Sequence, residues 1–260
     1  MNFFIIKEWL KYFHLQTDEH SLHSPYFYKF YTELIKPKHR RNNSAFDEIE
    51  KQRKVYLKST EDIEMLDYGA GSKVLKIDRR RISEIAASSI SQKKFSIFLN
   101  RVINHFSYKN VIELGTSLGI NTAYIAHNTL SNITSFEGDP SLCTIANDHL
   151  RFYRNIKIIQ GNIDDTLALH LEESNEPLDL AYIDANHTYE ATLKYFELML
   201  NYCHANSILV FDDIHWSREM KEAWENIKRH PQVTASMDIF DAGLVFFNPD
   251  FSKQHYILNF

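Results

Sequence analysis

Three carboxylates and two histidines near the end of the chain have the types and spacing of a metal or general-base site. They stand in Asp184-Ala185-Asn186-His187 and Asp212-Asp213-Ile214-His215. Neighbouring strands of a parallel sheet lie about 4.8 Å apart, so acids at two adjacent strand ends converge on one point. Carboxylates that close repel unless a positive charge sits among them, and hard oxygen donors favour Mg2+ over zinc. An ion so held would lower the pKa of an oxygen acid bound to it. Asp184, Asp212 and Asp213 are therefore candidate metal ligands, and Asp184 is also a candidate catalytic residue. His187 and His215 each follow an acid closely. Either can act as a metal-free general base, as a ligand or as a polar rim residue. Helix capping is the competing account of the acids. It suits Asp213 ahead of Trp216, and Asp184 in part, but not three acids on one rim.

Acids at strand ends need strands. Residues 178–183 and 207–211 read as buried strands that stop at these acids. Residues 132–136 read as another, ending in Glu137-Gly138-Asp139-Pro140, and residues 156–159 as a further one, before Gly161-Asn162-Ile163-Asp164. Residues 141–152 read as a helix, and Leu193, Phe196, Leu200 and Cys203 recur at helical spacing. Upstream, V-I-E-L-G-T-S-L-G-I-N-T-A-Y-I-A from Val111 to Ala126 reads as strand, glycine turn and helix start. Gly115 and Gly119 let the backbone turn tightly and approach a ligand. Glu113 lies at the carboxyl end of its strand, where open α/β sheets bind ligands. The pattern is E-x-G-x-S-x-G, with Ser117 in the middle, not the G-x-G-x-x-G of dinucleotide sites. An acid there repels pyrophosphate and suits a cationic amino-acid group. Strands and helices alternate to the end of the chain, as in a doubly wound sheet.

This ordered series, over residues 92–260, resembles the class I S-adenosylmethionine-dependent methyltransferases. The resemblance implies an α/β fold: a Rossmann-like, doubly wound, seven-stranded, mostly parallel sheet with an antiparallel C-terminal strand. Residues 233–260 would supply the final strands, with Asp241-Ala242-Gly243 at a hairpin turn. S-adenosylmethionine is the implied cofactor. Its methionine part would meet Glu113, Gly115, Ser117 and Gly119. Glu137 and Gly138 would take the ribose, near the roughly 20-residue offset of such acids. Asn162, Ile163 and Asp164 would wrap the adenine, and Asp184 also belongs to the implied cofactor set. The acidic group resembles the metal site of catechol-type and sugar O-methyltransferases, and its Asp-Asp pair is nearer the sugar-modifying branch. The implied reaction is methyl transfer to a hydroxyl oxygen of a small-molecule acceptor with Mg2+ assistance. Two alternatives stand beside it: a metal-independent O- or N-methyltransferase with a histidine base, and a cofactor-binding regulatory module that has lost catalysis.

Residues 1–91 are expected to be an N-terminal helical extension that caps the substrate side, with helices over 3–13, 26–35 and 46–58. Most of its aromatics are expected to be core. His23-Ser24-Pro25 reads as a helix start with Ser24 as cap and Pro25 in the first turn. Asp67-Tyr68-Gly69-Ala70-Gly71-Ser72 imitates the cofactor motif. Asp78 follows too soon for a helix crossover, so the segment reads as a glycine loop before a basic run. The 260 residues suffice for a full core, and the net charge of -5 gives no general basic field for nucleic acid. Cys143 and Cys203, both expected on helices, suit a reducing, cytoplasmic setting. The N-terminus is broken at Lys7 and Glu8 and lacks an 18-residue span, so no membrane partner is expected. The aromatics near Phe3 and Tyr26 can pack within the monomer or across a homodimer.

Overall fold

A computed structural model describes residues 3–37, 43–67 and 76–260. In chain order these begin with helices α1 (Phe3–Leu15), α2 (Pro25–Lys29, continued by π-helical turns at Phe30–Ile35) and α3 (Asp47–Leu57). An antiparallel ribbon of β1 (Asp62–Asp67) and β2 (Lys76–Arg81) precedes α4 (Ile82–Ser89) and α5 (Lys93–Phe106). Strands and helices then alternate through β3 (Asn110–Leu114), α6 (Ile120–Ala126), β4 (Asn132–Glu137), α7 (Pro140–Leu150) and β5 (Ile156–Gln160). They continue through α8 (Ile163–Ser174), β6 (Leu178–Ile183), α9 (Tyr189–Leu200) and β7 (Cys203–Asp212). Helix α10 (Arg218–Arg229) leads into β8 (Ala235–Asp238), β9 (Ala242–Phe246) and β10 (Gln254–Ile257). The fold is mixed α/β with a mostly parallel central sheet and N-terminal helices, as the sequence implies.

Two compact units make up the chain, one from residues 39–174 and one from residues 1–38 with 175–260. Helices α1 and α2 belong with the C-terminal half, while α3, the ribbon and α4 belong with the glycine bend.

In the unit of residues 39–174, β3, β4 and β5 run parallel, with Leu114 level with Phe136 and Glu137 level with Gln160. Helix α5 buries Phe95, Phe98, Leu99, Val102 and Ile103, the i, i+3, i+4, i+7, i+8 stripe of an amphipathic helix. It stops at Ser107, which takes a left-handed φ of 54°. Buried Asn100 on α5 donates to the carbonyls of Tyr124 and His127, both at 2.8 Å, satisfying the open end of α6. Ile49, Ile85, Ile120, Tyr124, Leu142 and Leu150 form one core with their neighbours. Asp139 caps α7 by accepting from the Leu142 N–H at 2.9 Å. Its other oxygen accepts from the Leu66 N–H at 2.5 Å, which ties the ribbon to the same turn. The glycine loop read at 67–72 and the start of its basic run lie outside the described residues, apart from the backbone of Asp67.

In the other unit β6 and β7 are parallel, β9 is antiparallel to both β7 and β8, and β10 runs parallel to β8. Beside the ribbon, the described residues thus hold eight strands against the seven expected, β10 being the addition. The hairpin turn is also earlier than expected. The Ile239 N–H donates to the Ala242 carbonyl at 3.0 Å, and Phe240 takes a φ of 71°. Gly243 lies instead within β9 under Trp224, where an added Cβ would come 2.6–2.8 Å from indole carbons. Cys203 opens β7 and is not helical, whereas Cys143 is on α7; both are free thiols. Ser24 and Pro25 do start α2, although the Ser24 side chain makes no capping bond. Tyr26, Phe27 and Phe30 pack on Phe246 and Phe251, with centroids 4.7–6.3 Å apart where paired. Each ring so buried contributes about 1.5–3 kcal/mol. Tyr12 and Tyr31 donate to the carbonyls of Leu258 and Asn259 at 2.6 and 3.1 Å, which fastens the chain's last strand to its first helices.

Candidate active site

The glycine bend follows β3, whose Val111, Ile112 and Leu114 are buried. Glu113 between them is fully buried as well. Its oxygens accept from Asn121 Nδ2 at 2.9 Å, Thr122 Oγ1 at 2.5 Å and Ser135 Oγ at 2.6 Å. The sequence reading placed Glu113 against the cofactor. The structure corrects its role to a brace joining the strand end, the first turn of α6 and β4. The N–H groups of Gly115 and Thr116 donate to the Phe136 carbonyl at 2.9 and 3.1 Å, and Ser117 adopts a φ of 47°. Gly119 has a φ of 74°, and a Cβ there would lie 3.0 Å from Leu150 Cδ1 and 3.3 Å from Ala146 Cβ. Only glycine satisfies both the left-handed backbone and the close approach of α7.

Glu137, at the end of β4, gathers the neighbouring turns. One oxygen accepts the Ser117 N–H at 2.8 Å and the other the Asp139 N–H at 2.9 Å, while its carbonyl accepts the Gly161 N–H at 2.9 Å. Burial pushes its carboxyl pKa up. The N–H groups of Asp139, Ser117 and Gly138 pull it back without cancelling the rise. Past β5, Asn162 Oδ1 accepts the Asp164 N–H at 3.0 Å, so Asn162, buried Ile163 and Asp164 form the capped first turn of α8. The ends of three adjacent parallel strands thus bring Gly115, Ser117, Gly119, Glu137, Gly138 and the 162–164 turn together. The chemistry fits S-adenosylmethionine. The Glu137 carboxylate, with three N–H donors on about four acceptor sites, keeps one for a ribose hydroxyl, and Asn121 Oδ1 is buried without a hydrogen bond among the described residues. An ammonium group would satisfy that oxygen.

The acids form a cluster of their own in the other unit. Tyr182, buried in β6, points its hydroxyl at Asp184 Oδ2 (3.1 Å) and Asp212 Oδ2 (2.8 Å). His187 Nε2 lies 3.3 Å from Asp184 Oδ1 and 4.0 Å from Asp213 Oδ2. Asp213 has a left-handed φ of 55°, and its N–H donates to the Asp241 carbonyl at 2.7 Å. Burial, then the charges of Asp184 and Asp213, push Asp212 well above the usual carboxylate range, against the opposing hydrogen bond from Tyr182. Burial raises Asp213 too, with the His187 charge opposing. For His187 burial favours the neutral ring, but the hydrogen bond and charge of Asp184 and the charge of Asp213 outweigh it and raise its pKa.

A metal fits this arrangement poorly. Carboxylate oxygens are the right donors. Yet Asp184 and Asp212 share the Tyr182 hydroxyl, and the other Asp184 oxygen meets His187. Among the described residues no group of three or more His, Cys, Asp or Glu side chains is arranged to hold an ion. Tyr182 is the residue that sequence reasoning missed. It stands two before Asp184, hence on the same face of the strand, and that parity was the available signal.

His215 is corrected away from this cluster. Its Nε2 lies 2.8 Å from Asp238 Oδ2 and its Nδ1 3.8 Å from Glu8 Oε2, and its ring stacks on Phe240 at 5.2 Å. Asp238 holds Nε2, while Nδ1 is buried without a hydrogen bond among the described residues, and His187 is the histidine beside Asp184 and Asp213. Trp216 is 57% exposed and precedes α10, whose Met220 and Trp224 are buried.

Residues 112–214 match the family model described as a methyltransferase domain. No curated protein matches the chain. Among solved structures it is similar to an O-methyltransferase of Bacillus cereus in complex with S-adenosylhomocysteine, at a TM-score of 0.56 and 15% identity over 84% of this chain and 96% of that one. An S-adenosylhomocysteine-bound methyltransferase of Podospora anserina gives a TM-score of 0.59 and 14% identity over 87% and 97%. An O-methyltransferase of Streptomyces achromogenes involved in tomaymycin synthesis, solved with S-adenosylmethionine, gives 0.54 and 16% over 62% and 82%. Identities this low speak for the fold, and the family match speaks for the segment that carries the glycine bend and the acids. Residues 112–214 thus match a methyltransferase domain, and the chain shares its fold with methyltransferases solved with S-adenosylmethionine or S-adenosylhomocysteine.

Proposed function

We propose that this protein transfers a methyl group from S-adenosylmethionine to a hydroxyl oxygen of a small-molecule acceptor. The observation that carries the reading is the glycine bend, tied through the Glu137 carboxylate to the turn after β4 and through the Glu137 carbonyl to the turn after β5, inside a segment that matches a methyltransferase family. Gly115, Ser117 and Gly119 line the methionine part, Glu137 and Gly138 the ribose, and Asn162 to Asp164 the adenine. When bound, the cofactor supplies an electrophilic methyl group on a sulfonium. His187 is the base. Its Nε2–H faces Asp184, which leaves Nδ1 to take the acceptor's proton, and Asp184 steadies the imidazolium that results. The reduced thiols and this chemistry suit a cytoplasmic setting.

Mg2+ assistance is the second reading. Its support is donor chemistry alone: Asp184, Asp212 and Asp213 stand at two adjacent strand ends, with the hard oxygen donors that Mg2+ prefers.

The test is calorimetry with S-adenosylmethionine followed by transfer of labelled methyl to a panel of hydroxylated acceptors, with Mg2+ or with EDTA. Turnover that survives EDTA and falls at least about a hundredfold in His187→Gln, with cofactor affinity kept, supports the histidine base. Turnover abolished by EDTA and restored by Mg2+ supports the second reading. Cofactor binding without turnover of any acceptor favours a regulatory module. A nicotinamide dinucleotide bound in preference to S-adenosylmethionine overturns the proposal.

A further inference from the structure

Helix α1 is turned against its own composition. Its one acid, Glu8, faces inward at 3% exposure, where it accepts from Lys11 Nζ at 3.1 Å and pairs with Lys221 of α10. Tyr12, one turn on, is buried beside it. The outward side carries Phe3, Trp9, Leu10 and Phe13, which are 80%, 45%, 56% and 59% exposed. Trp9 and Phe13 stack with centroids 5.3 Å apart. Lys7, Lys11 and His14 recur at i, i+4 and i+7 along one border of this side, and all three are exposed. Every exposed charge or titratable group on the helix is therefore basic.

We propose that α1 docks on an anionic lipid surface, its aromatic side in the boundary between headgroups and acyl chains and its basic border against lipid phosphates. Aromatic and leucine side chains beside lysines form the composition of helices that lie in that plane. The helix has 13 residues, about 20 Å at 1.5 Å per residue, too short for a hydrocarbon core of about 30 Å. No described helix is long and apolar enough to cross a membrane. The expectation of no membrane partner rested on that missing span and does not bear on a helix lying flat. A second copy of the chain is the poorer occupant. A two-fold pairing sets the same patch against itself, so two basic borders would meet with no exposed acid from either helix.

The test is co-sedimentation of the full chain with vesicles of mixed phosphatidylcholine and phosphatidylglycerol, and with vesicles of phosphatidylcholine alone, followed also by tryptophan emission. The expected result is binding to the mixed vesicles, weakened by salt, with a blue shift that Trp9→Phe removes. The double variant Trp9→Ser/Phe13→Ser, and separately Lys7→Glu, should each weaken partitioning on the order of tenfold while circular dichroism and thermal melting stay native. No binding to mixed vesicles overturns the proposal, as does binding that neither folded variant weakens. A dimer in sedimentation equilibrium that Trp9→Ser/Phe13→Ser dissociates overturns it in favour of a second copy.

Discussion

Replacing Glu137 with glutamine perturbs the glycine bend and the cofactor site through one carboxylate. In the native protein its oxygens accept backbone N–H groups at 2.8 and 2.9 Å. Glutamine keeps one acceptor and turns an NH2 group toward the other N–H. One charge-assisted bond is lost, about 1.5–3 kcal/mol in the loop. A ribose hydroxyl that donates to the carboxylate contributes about the same, which is roughly a 10- to 150-fold loss of cofactor affinity. The pH dependence gives a second, independent reading. Burial raises the Glu137 pKa above its ordinary 4.5, so the folded protein holds this proton to a higher pH than the unfolded chain does. That contribution to stability is present in acid and is lost as pH rises through the raised pKa. Binding requires the ionised form, so cofactor affinity moves the other way and strengthens over the same interval. Calorimetry with S-adenosylhomocysteine across that interval, beside urea melts without ligand, measures both slopes. The glutamine variant should bind weakly and show neither slope from this residue. Affinity within about twofold of the native protein, or an acid-side slope that survives the substitution, would refute the assignment of Glu137.

Three further outcomes follow from the acidic cluster and from β9. The raised pKa of His187 places the rising limb of kcat/KM above the ordinary 6.5, because the base must be neutral; Asp184→Asn should move that limb toward acid, and a limb below 6.5 in the native protein speaks against this base. Tyr182→Phe removes the hydroxyl shared by Asp184 and Asp212 and should cost about 1–3 kcal/mol at neutral pH. The loss should shrink in acid, where the carboxyls are protonated; urea melts at two pH values decide it. Gly243→Ala drives a methyl group into the Trp224 indole and should cost about 1–3 kcal/mol with altered tryptophan emission, and an unchanged melt would show that the ring moves freely.

Local pattern was enough to read the alternation of strand and helix, the glycine bend and the acids at strand ends. Each of these depends on residues a few positions apart: apolar periodicity, a φ open to glycine, an acid following a buried run. Gly115, Gly119, Glu137 and the 162–164 turn were legible for that reason, and so was the placement of Asp184, Asp212 and Asp213 on neighbouring strand ends. The side-chain roles were not legible, because they depend on partners far along the chain. Glu113 became a brace only because Ser135, Asn121 and Thr122 enclose it. His215 left the site because Asp238 and Glu8 hold it. Gly243 proved to be a bed for Trp224, and α1 turned its aromatics outward because Lys221 draws Glu8 inward. Sequence alone determined which chemical groups stand at the ends of the strands. Tertiary packing decided which of them remain available, since burial and the nearest charge set whether a side chain is consumed by its own chain or left to meet a ligand.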